Sequence, residues 1–171
     1  MRCSLWGARR KRQAGRAPVS WRPMVPPEDP RLPLMADSYR RLTGRLLVPP
    51  GFGVARALWE APLVIVAHGT ESDPVFFYGN RLALEVFSLD FASFTRLPSR
   101  FSAELQAREE RARLLARVRC KGYIDDYSGV RITADGRRFH INAATVWNLL
   151  GADGVVHGQA ACFAPPSGAA S

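Results

Sequence analysis

Residues 122–163 read GYIDDYSGVRITADGRRFHINAATVWNLLGADGVVHGQAACF, and this stretch decides the fold. Three runs rich in β-branched and aromatic residues follow one another in it, covering Tyr123–Thr133, Arg138–Leu149 and Val155–Phe163. Asp135-Gly136 separates the first two runs and Asp153-Gly154 the last two. Asp-Gly between strand patterns is the strongest short hairpin signal, because both residues accept the positive φ angles of a tight turn. The stretch therefore predicts an antiparallel meander of three strands.

The middle strand predicts two faces, because side chains alternate with a period of two. One face would carry Phe139, Ile141, Ala143, Thr145, Trp147 and Leu149. The other would carry His140, Asn142, Ala144, Val146 and Asn148. Since the second set is not strongly polar, we expect another element to cover part of it. The predicted N-terminal helix, Tyr39–Leu47, is the candidate cover.

Upstream of the meander the patterns predict short helices and two further strands. A helix begins near Asp37 or Ser38 and stops before Pro49, and a second short helix covers Gly53–Glu60. Leu63–Val66 and Val75–Tyr78 have the composition of strands. Capping residues then introduce three further helical segments, which begin at Asn80, Asp90 and Ser102 and include a long helix over about residues 103–120 that Gly122 ends.

The basic character of the chain lies mainly in its first 34 residues. The net charge is +9, and residues 1–34 hold eight basic and two acidic residues, a net charge of +6. Six prolines in this segment oppose both helix and sheet, so we expect a disordered leader over 1–34, a folded domain over 35–164 and a disordered tail over 165–171. No apolar run follows the basic start, which argues against a secretory signal.

Three other interpretations of the leader stay open. The Arg9-Arg-Lys-Arg12 cluster could bind phosphate groups of a nucleic acid or a membrane surface, or the segment could be an organellar transit peptide. It could also be an extension without function, with Met35 as the natural start. The remaining residues carry a net charge of +3, so a nucleic-acid partner is not expected for the domain itself.

The cysteines indicate a reducing compartment. Cys3, Cys120 and Cys162 are odd in number and widely spaced, which favours neither a disulfide framework nor a zinc knuckle. No apolar run reaches the roughly 18 residues of a membrane-spanning helix. We therefore expect a cytoplasmic protein without a membrane partner.

Several strings occur in the order found in the MEKHLA family, which is related to the PAS fold. The chain resembles that family over roughly residues 37–163, through Asp73–Phe87, Thr95–Arg100, Arg108–Leu115, Gly122–Ile132 and Ala144–Asn148. The resemblance implies an α+β, PAS-like fold with a five-stranded antiparallel sheet, helices on one face and an N-terminal helix. It also implies a sensory or regulatory module. Family members occur as small standalone proteins and at the C-terminus of plant homeodomain–zipper factors, but this chain has neither homeodomain nor zipper heptads, so DNA binding does not transfer.

The sequence contains few residue patterns that are typical of an enzyme. His68, His140 and His157 would have to converge to bind a metal, and although His140 and His157 could be cross-strand neighbours, no carboxylate completes a set nearby. Asp125 and Asp126 are adjacent on a strand and should point to opposite faces, so solvation or pairing with arginine is expected instead. Nucleophile elbows, phosphate loops and dinucleotide fingerprints are absent from the sequence. We expect a protein that is not an enzyme and holds no metal.

No cofactor can be identified from the sequence. Light-sensing flavin PAS domains use a cysteine in an Asn-Cys-Arg motif, which neither Cys120 nor Cys162 matches. Haem-binding PAS domains use a histidine on the long helix, and residues 103–120 contain none. Cys162 is best interpreted as a small buried hydrophobic residue.

The resemblance places a candidate ligand pocket between the sheet and the helices. The candidate liners are Phe77, Leu115, Val118, Phe139, Ile141, Trp147, Gln159 and Phe163. These side chains could also simply fill the core, whereas the amides of Asn142, Asn148 and Gln159 need partners if they are buried. Two functions remain open: a module that binds a small ligand or a signalling partner, and a ligand-free module that forms a homodimer. A small α+β enzyme is the third hypothesis, and it requires the histidines to meet Asp125 or Asp126.

Overall fold

The computed structural model describes residues 26–51, 53–102 and 108–166, with the side chains of 108–112 and 115 left out. Five helices are present in the described residues: α1 (Arg31–Thr43), α2 (Val54–Trp59), α3 (Arg81–Phe87), α4 (Phe91–Phe94) and α5 (Arg108–Lys121). A single 3₁₀ turn covers Ser99–Ser102. The strands are β1 (Val64–His68), β2 (Phe76–Gly79), β3 (Tyr123–Ile132), β4 (Arg138–Leu150) and β5 (Val156–Phe163).

The five strands form one antiparallel sheet in the order β2-β1-β5-β4-β3. The predicted meander is confirmed, since β3 pairs with β4 and β4 with β5 through the two Asp-Gly turns. β5 then pairs with β1, so the last strand of the chain lies at the centre of the sheet. The predicted five-stranded α+β architecture is confirmed. Residues 1–25 and 167–171, where disorder was predicted, lie outside the described part of the chain.

Helices cover both faces of the sheet. The inner face is the one covered by α3, α4 and α5, with an apolar core that includes Val64, Val66 and Phe94. The outer face is the one covered by α1 and by Leu58 of α2. Because both faces are covered, the central strands alternate between two apolar layers and not between core and solvent.

The side chains of β4 change face at a bulge, which corrects the predicted alternation. Gly129 pairs with Ile141 and Tyr127 with Ala144, so β4 carries one residue more than β3 between these pairs. Ala143 has a φ of 50°, and its N–H donates to Ser128 Oγ at 3.2 Å. An extra residue reverses the alternation of every later side chain. Ile141 and Ala144 therefore both face inward, and the positions that follow have the opposite orientation to the one predicted.

The N-terminal helix begins earlier than predicted and covers a different face. It spans Arg31–Thr43 and ends at Gly44, whose φ is 72°, so residues 31–34 belong to the domain and not to the leader. Leu32 is 1% exposed and packs in the outer core. Pro30 and Pro33 are compatible with this start, because proline is tolerated in the first turn of a helix. The helix covers the face that carries Trp147 and Leu149, since the bulge has turned these side chains outward.

Polar contacts as well as apolar ones hold α1 to β4. The indole Nε1 of Trp147 donates to Met35 O at 3.1 Å, and the rings of Tyr39 and Trp147 meet edge to face at 4.9 Å. Ser38, fully buried, accepts from Leu150 N at 2.8 Å and donates to Leu150 O at 3.3 Å. The Trp147 indole and the Ser38 hydroxyl thus both find partners, and α1 is held in register along β4.

Asn80 joins β1 to α3. Its Oδ1 accepts from Ile65 N and from Ala83 N, both at 3.0 Å, and its Nδ2 donates to Leu63 O at 2.7 Å. The predicted N-cap role is confirmed. Because the side chain is fully buried and uses both ends of its amide, it fixes where the first helix of the inner layer begins.

Ala143→Gly should stabilise the protein by roughly 0.5–1 kcal/mol, because glycine adopts the left-handed conformation without the steric penalty of a β carbon. Ala116→Gly is the matched control, since Ala116 is also exposed but lies within α5. That variant should lose about 1 kcal/mol. Urea unfolding measures the free energy of unfolding of both variants. A loss of stability in both would contradict the left-handed conformation of Ala143 at the bulge.

Leu32→Ala should lower the free energy of unfolding by about 2–4 kcal/mol, because it leaves a cavity beneath α1. Leu46→Ala, at a position 58% exposed, should change it by less than about 0.5 kcal/mol. Thermal or urea unfolding of the full chain checks the pair. Equal effects would mean that residues 31–34 lie outside the folded domain.

Candidate functional site

The structure divides the predicted pocket residues between the two faces of the sheet. Five of the eight lie on the inner face: Val118, Phe139, Ile141, Gln159 and Phe163. Leu115 belongs to α5, but its side chain lies outside the described residues. Trp147 and Phe77 lie on the outer face, so their assignment to one pocket with the others was wrong.

Backbone irregularities explain both errors. The bulge at Ala143 turns Trp147 outward. In β2, His68 pairs with Phe76 and Ala67 with Tyr78, so Phe77 has no partner in the ladder. Its ring packs on the outer core, and the guanidinium of Arg31 lies 3.5 Å from the ring centroid. Neither residue can touch a ligand on the inner face.

The inner face holds two apolar clusters with the central strand between them. One cluster includes Phe94, Ile141 and Phe163 and lies under α3 and α4. The other consists of Val118, Ile124 and Val146 and lies under α5. Ala161, on β5, contacts both clusters and still remains partly exposed. Solvent therefore reaches part of this position, although apolar side chains lie on either side of it.

Two amides lie next to Ala161 on the inner face. Gln159 Nε2 donates to Asn148 Oδ1 at 3.3 Å, and Asn148 Nδ2 donates to Val118 O at 3.4 Å. Asn148 is 7% exposed and Gln159 is half-buried. Among the described residues Gln159 makes this one side-chain hydrogen bond, so its Oε1 can accept from a further group. The third predicted amide, Asn142, is exposed beside the bulge.

Sequence reasoning missed Ala161 as a residue of this site. An alanine in an apolar strand gives no signal by itself, because it is typical of a packed core. Ala161 belongs to the site because of its neighbours. Val66 and Val146 pair with it on either side, and larger side chains flank it on the same face. Only the pairing of β5 with β1 and β4, which places it at the centre, could have identified it.

Arginines pair with both carboxylates, which is one of the two alternatives expected from the sequence. Asp125 binds Arg45 at 3.0 Å and Asp126 binds Arg117 at 2.8 Å. The two pairs lie on opposite faces, because Arg45 follows α1 and Arg117 belongs to α5. The Arg117 guanidinium holds the pKa of the Asp126 carboxyl below its usual range. The two carboxylates therefore do not act on one substrate atom.

The histidines do not converge. His140 pairs with Val130 near the β3–β4 turn, whereas His157 lies opposite the other end of β4, where Leu149 pairs with Gly158. His140 and His157 are therefore not cross-strand neighbours, since the register of β4 and β5 separates them by most of a strand. Within the described ranges no three histidine, cysteine or acidic side chains lie close enough to hold a metal ion.

The outer layer buries a thiol and two tyrosine side chains, one of which belongs to α1 itself. Cys162, 5% exposed, lies with Tyr39 and Thr145 in this layer, and burial raises the pKa of its thiol to about 11. The Tyr78 hydroxyl is fully buried, has no hydrogen-bond partner among the described residues, and has its pKa raised by burial. Cys120, by contrast, is exposed near the end of α5. Neither described cysteine lines the inner face.

The comparison with protein families identifies the class of protein. A model of the MEKHLA domain matches residues 31–165, and the chain belongs to this family. The match begins at the first residue of α1, in agreement with the extended helix. No curated protein matches the chain.

Solved structures of PAS and light-oxygen-voltage domains share the fold. The PAS domain of a protein from Colwellia psychrerythraea is 14% identical, with a TM-score of 0.55, and the match covers 63% of this chain and 89% of that one. A light-oxygen-voltage domain studied with a flavin analogue is 16% identical, with a TM-score of 0.53 over 68% of this chain and 87% of that one. An RNA-binding light-oxygen-voltage receptor gives a TM-score of 0.55 at 16% identity, over 68% of this chain and only 36% of that receptor. At these identities the likeness establishes a PAS-like fold alone.

No helix in the described part of the chain combines the length and apolar character that a membrane span requires.

Cys162 should react with thiol reagents far more slowly in the folded protein than in urea, because it is buried and its pKa is raised. A pKa of about 11 leaves roughly a hundredfold less thiolate at neutral pH than the pKa of about 9 of an exposed thiol. Alkylation of a Cys3→Ser, Cys120→Ser variant isolates this thiol. Rapid alkylation in the folded state would show that α1 does not cover it.

Proposed function

We propose that this MEKHLA protein is a sensory or regulatory PAS-like module that binds a small polar ligand on the inner face of its sheet. The ligand would lie above Ala161, between the Phe94 and Val118 clusters, with the Gln159 amide as its polar anchor. The proposed role is non-catalytic, and no resident cofactor is part of it.

The observation that carries the proposal is the accessible centre of the inner face. Ala161 and Gln159 occupy inward positions of the central strand and are both partly exposed, although apolar clusters lie on either side. Apolar walls with a few convergent polar groups are the usual composition of small-molecule sites. The free acceptor of Gln159 gives such a site an orienting contact, and a small residue beside it gives room.

The electrostatics favour a ligand with hydrogen-bonding groups and without a strong charge. The amides of Gln159 and Asn148 are neutral, and the ion pair between Arg117 and Asp126 is exposed to solvent. A charged ligand would lose its hydration above the apolar clusters, where the described residues provide no buried charged side chain to compensate. A neutral polar molecule with an N–H or O–H donor fits Gln159 Oε1.

A second candidate function, a protein-interaction module, is favoured by the surface of α1. An open groove of about 500 Å³ runs beside the helix and is lined by Leu34, Asp37, Arg40, Arg41 and Ala152. Leu46, just after α1, is also exposed. Because α1 covers the outer face, a homodimer or a separate signalling partner would bind at the helix itself and not on the bare sheet.

Native mass spectrometry of the full chain, purified from its own cells, tests the ligand. Under mild conditions the protein should carry a reproducible excess mass that disappears on denaturation. Gln159→Leu should reduce the occupied fraction about tenfold, because one hydrogen bond to the ligand is lost. Asn142→Leu changes an exposed amide on the same sheet and should leave the occupancy unchanged.

The outcomes separate the two candidates. An apo protein that is dimeric at micromolar concentration would support the interaction module instead. An excess mass that survives Gln159→Leu would place the ligand elsewhere and contradict the inner-face site.

A further inference from the structure

Among the described residues, the Tyr78 hydroxyl is the buried side-chain group that has no hydrogen-bond partner. Other polar side chains of the outer layer differ from it. The indole of Trp147 donates to Met35 O, and the hydroxyl of Ser38 is bonded to the backbone of Leu150. A fully buried hydroxyl gives up its hydrogen bonds to bulk water on folding, and leaving them unmade is costly. Protein atoms alone therefore leave the hydrogen-bonding capacity of Tyr78 unused.

The strand neighbours of Tyr78 explain why no protein group meets its hydroxyl. A row of paired residues crosses the outer face from β2 to β4 in the order Tyr78, Ala67, Ala160, Trp147. Both alanines are buried, and an alanine side chain has no polar atom. At the far end of the row, the Trp147 N–H is already bonded to α1. The row thus places a hydroxyl group in an apolar layer without supplying a donor or an acceptor.

The surroundings of the hydroxyl limit the kind of molecule that could bind it. Leu32 and Met35 of α1 and Leu58 of α2 belong to the same layer and are fully buried. Close-packed interiors have few voids larger than a water molecule, so the occupant must be small. No charged side chain is buried in the described part of the chain, so the occupant must also be neutral. Burial raises the pKa of Tyr78, and its protonated hydroxyl can both donate and accept.

We propose that the outer layer contains a hydration site at the Tyr78 hydroxyl, occupied by a single buried water molecule. Water is the small neutral molecule that can donate to the hydroxyl and accept from it. A buried water usually makes about three hydrogen bonds, so it also binds backbone groups around Tyr78. The last carbonyls of α2 are candidates, because the final turn of a helix leaves its carbonyls without partners and Leu58 of that turn lies in the same layer.

This site goes beyond the proposed function, because it lies on the face of the sheet opposite to Ala161. It needs no inner-face ligand, and its water serves as a structural ligand of the fold. The water would bridge the edge strand β2 to the groups that cover it. A bridging water is nearly as favourable in enthalpy as a direct hydrogen bond.

Removal of the hydroxyl has opposite effects on a hydrated and on a dry site. In a dry site the buried hydroxyl is destabilising, because nothing compensates for its lost hydration, and Tyr78→Phe would make the protein more stable. In a hydrated site the same substitution leaves the water without one of its partners, and stability falls. The direction of the change therefore shows whether the hydroxyl is bonded.

Urea unfolding of the full chain measures this direction. Tyr78→Phe should raise the equilibrium constant for unfolding about fivefold, as expected for the loss of one hydrogen bond. Tyr127→Phe is the matched control, because it removes the same hydroxyl from a tyrosine that is partly exposed. That variant should change the constant by less than about twofold. An unchanged or lower constant in Tyr78→Phe would overturn the proposal.

Magnetic relaxation dispersion of the water oxygen-17 nucleus detects the bound water itself, because it counts water molecules that remain buried in the protein. The unsubstituted chain should hold about one more long-lived water than Tyr78→Phe, and Tyr127→Phe should match the unsubstituted chain. Equal numbers in the unsubstituted chain and in Tyr78→Phe would overturn the proposal, whatever the change in stability. Since neither measurement involves an inner-face ligand, failure here would leave the proposed function untouched.

Discussion

The reversal of β4 at Ala143 is the constraint on which both layers depend. Before it, Ile141 faces inward with Phe163; after it, Val146 faces α5 and Trp147 faces α1. A regular strand of the same sequence would place Trp147 on the inner face and leave α1 without its main contact. The strain of a left-handed alanine is thus offset by the packing of two helices.

In the outer layer, α1 covers the sheet with both apolar and polar contacts. Trp147 and Ser38 hold α1 through hydrogen bonds to buried backbone groups, so removing the helix would leave polar atoms unpaired as well as apolar area exposed. The inner layer differs, because its centre at Ala161 stays accessible. The two layers therefore differ: the outer one is closed by a helix with buried hydrogen bonds, and the inner one remains partly open to solvent at its centre.

The residue types indicated several members of the candidate site, but the sequence did not show which face of the sheet each side chain occupies. Gln159 and Asn148 were identified because amides in an apolar strand need partners, and they do bind each other. Trp147 and Phe77 were misplaced because alternation assumes a regular ladder, and a bulge leaves no clear local signature at an alanine. Ala161 could not be identified, since its exposure depends on strands that are distant in sequence.

The sequence by itself determined the elements, the hairpins and the family, because caps, Asp-Gly turns and β-branched runs act over a few residues. Asn80, Gly122 and the Asp135-Gly136 turn have the roles that their local patterns predict. The tertiary structure decided which face each side chain occupies and where α1 begins. These features depend on packing between segments that are distant in sequence. Leu32, for example, becomes helical because the apolar surface around Trp147 buries its side chain.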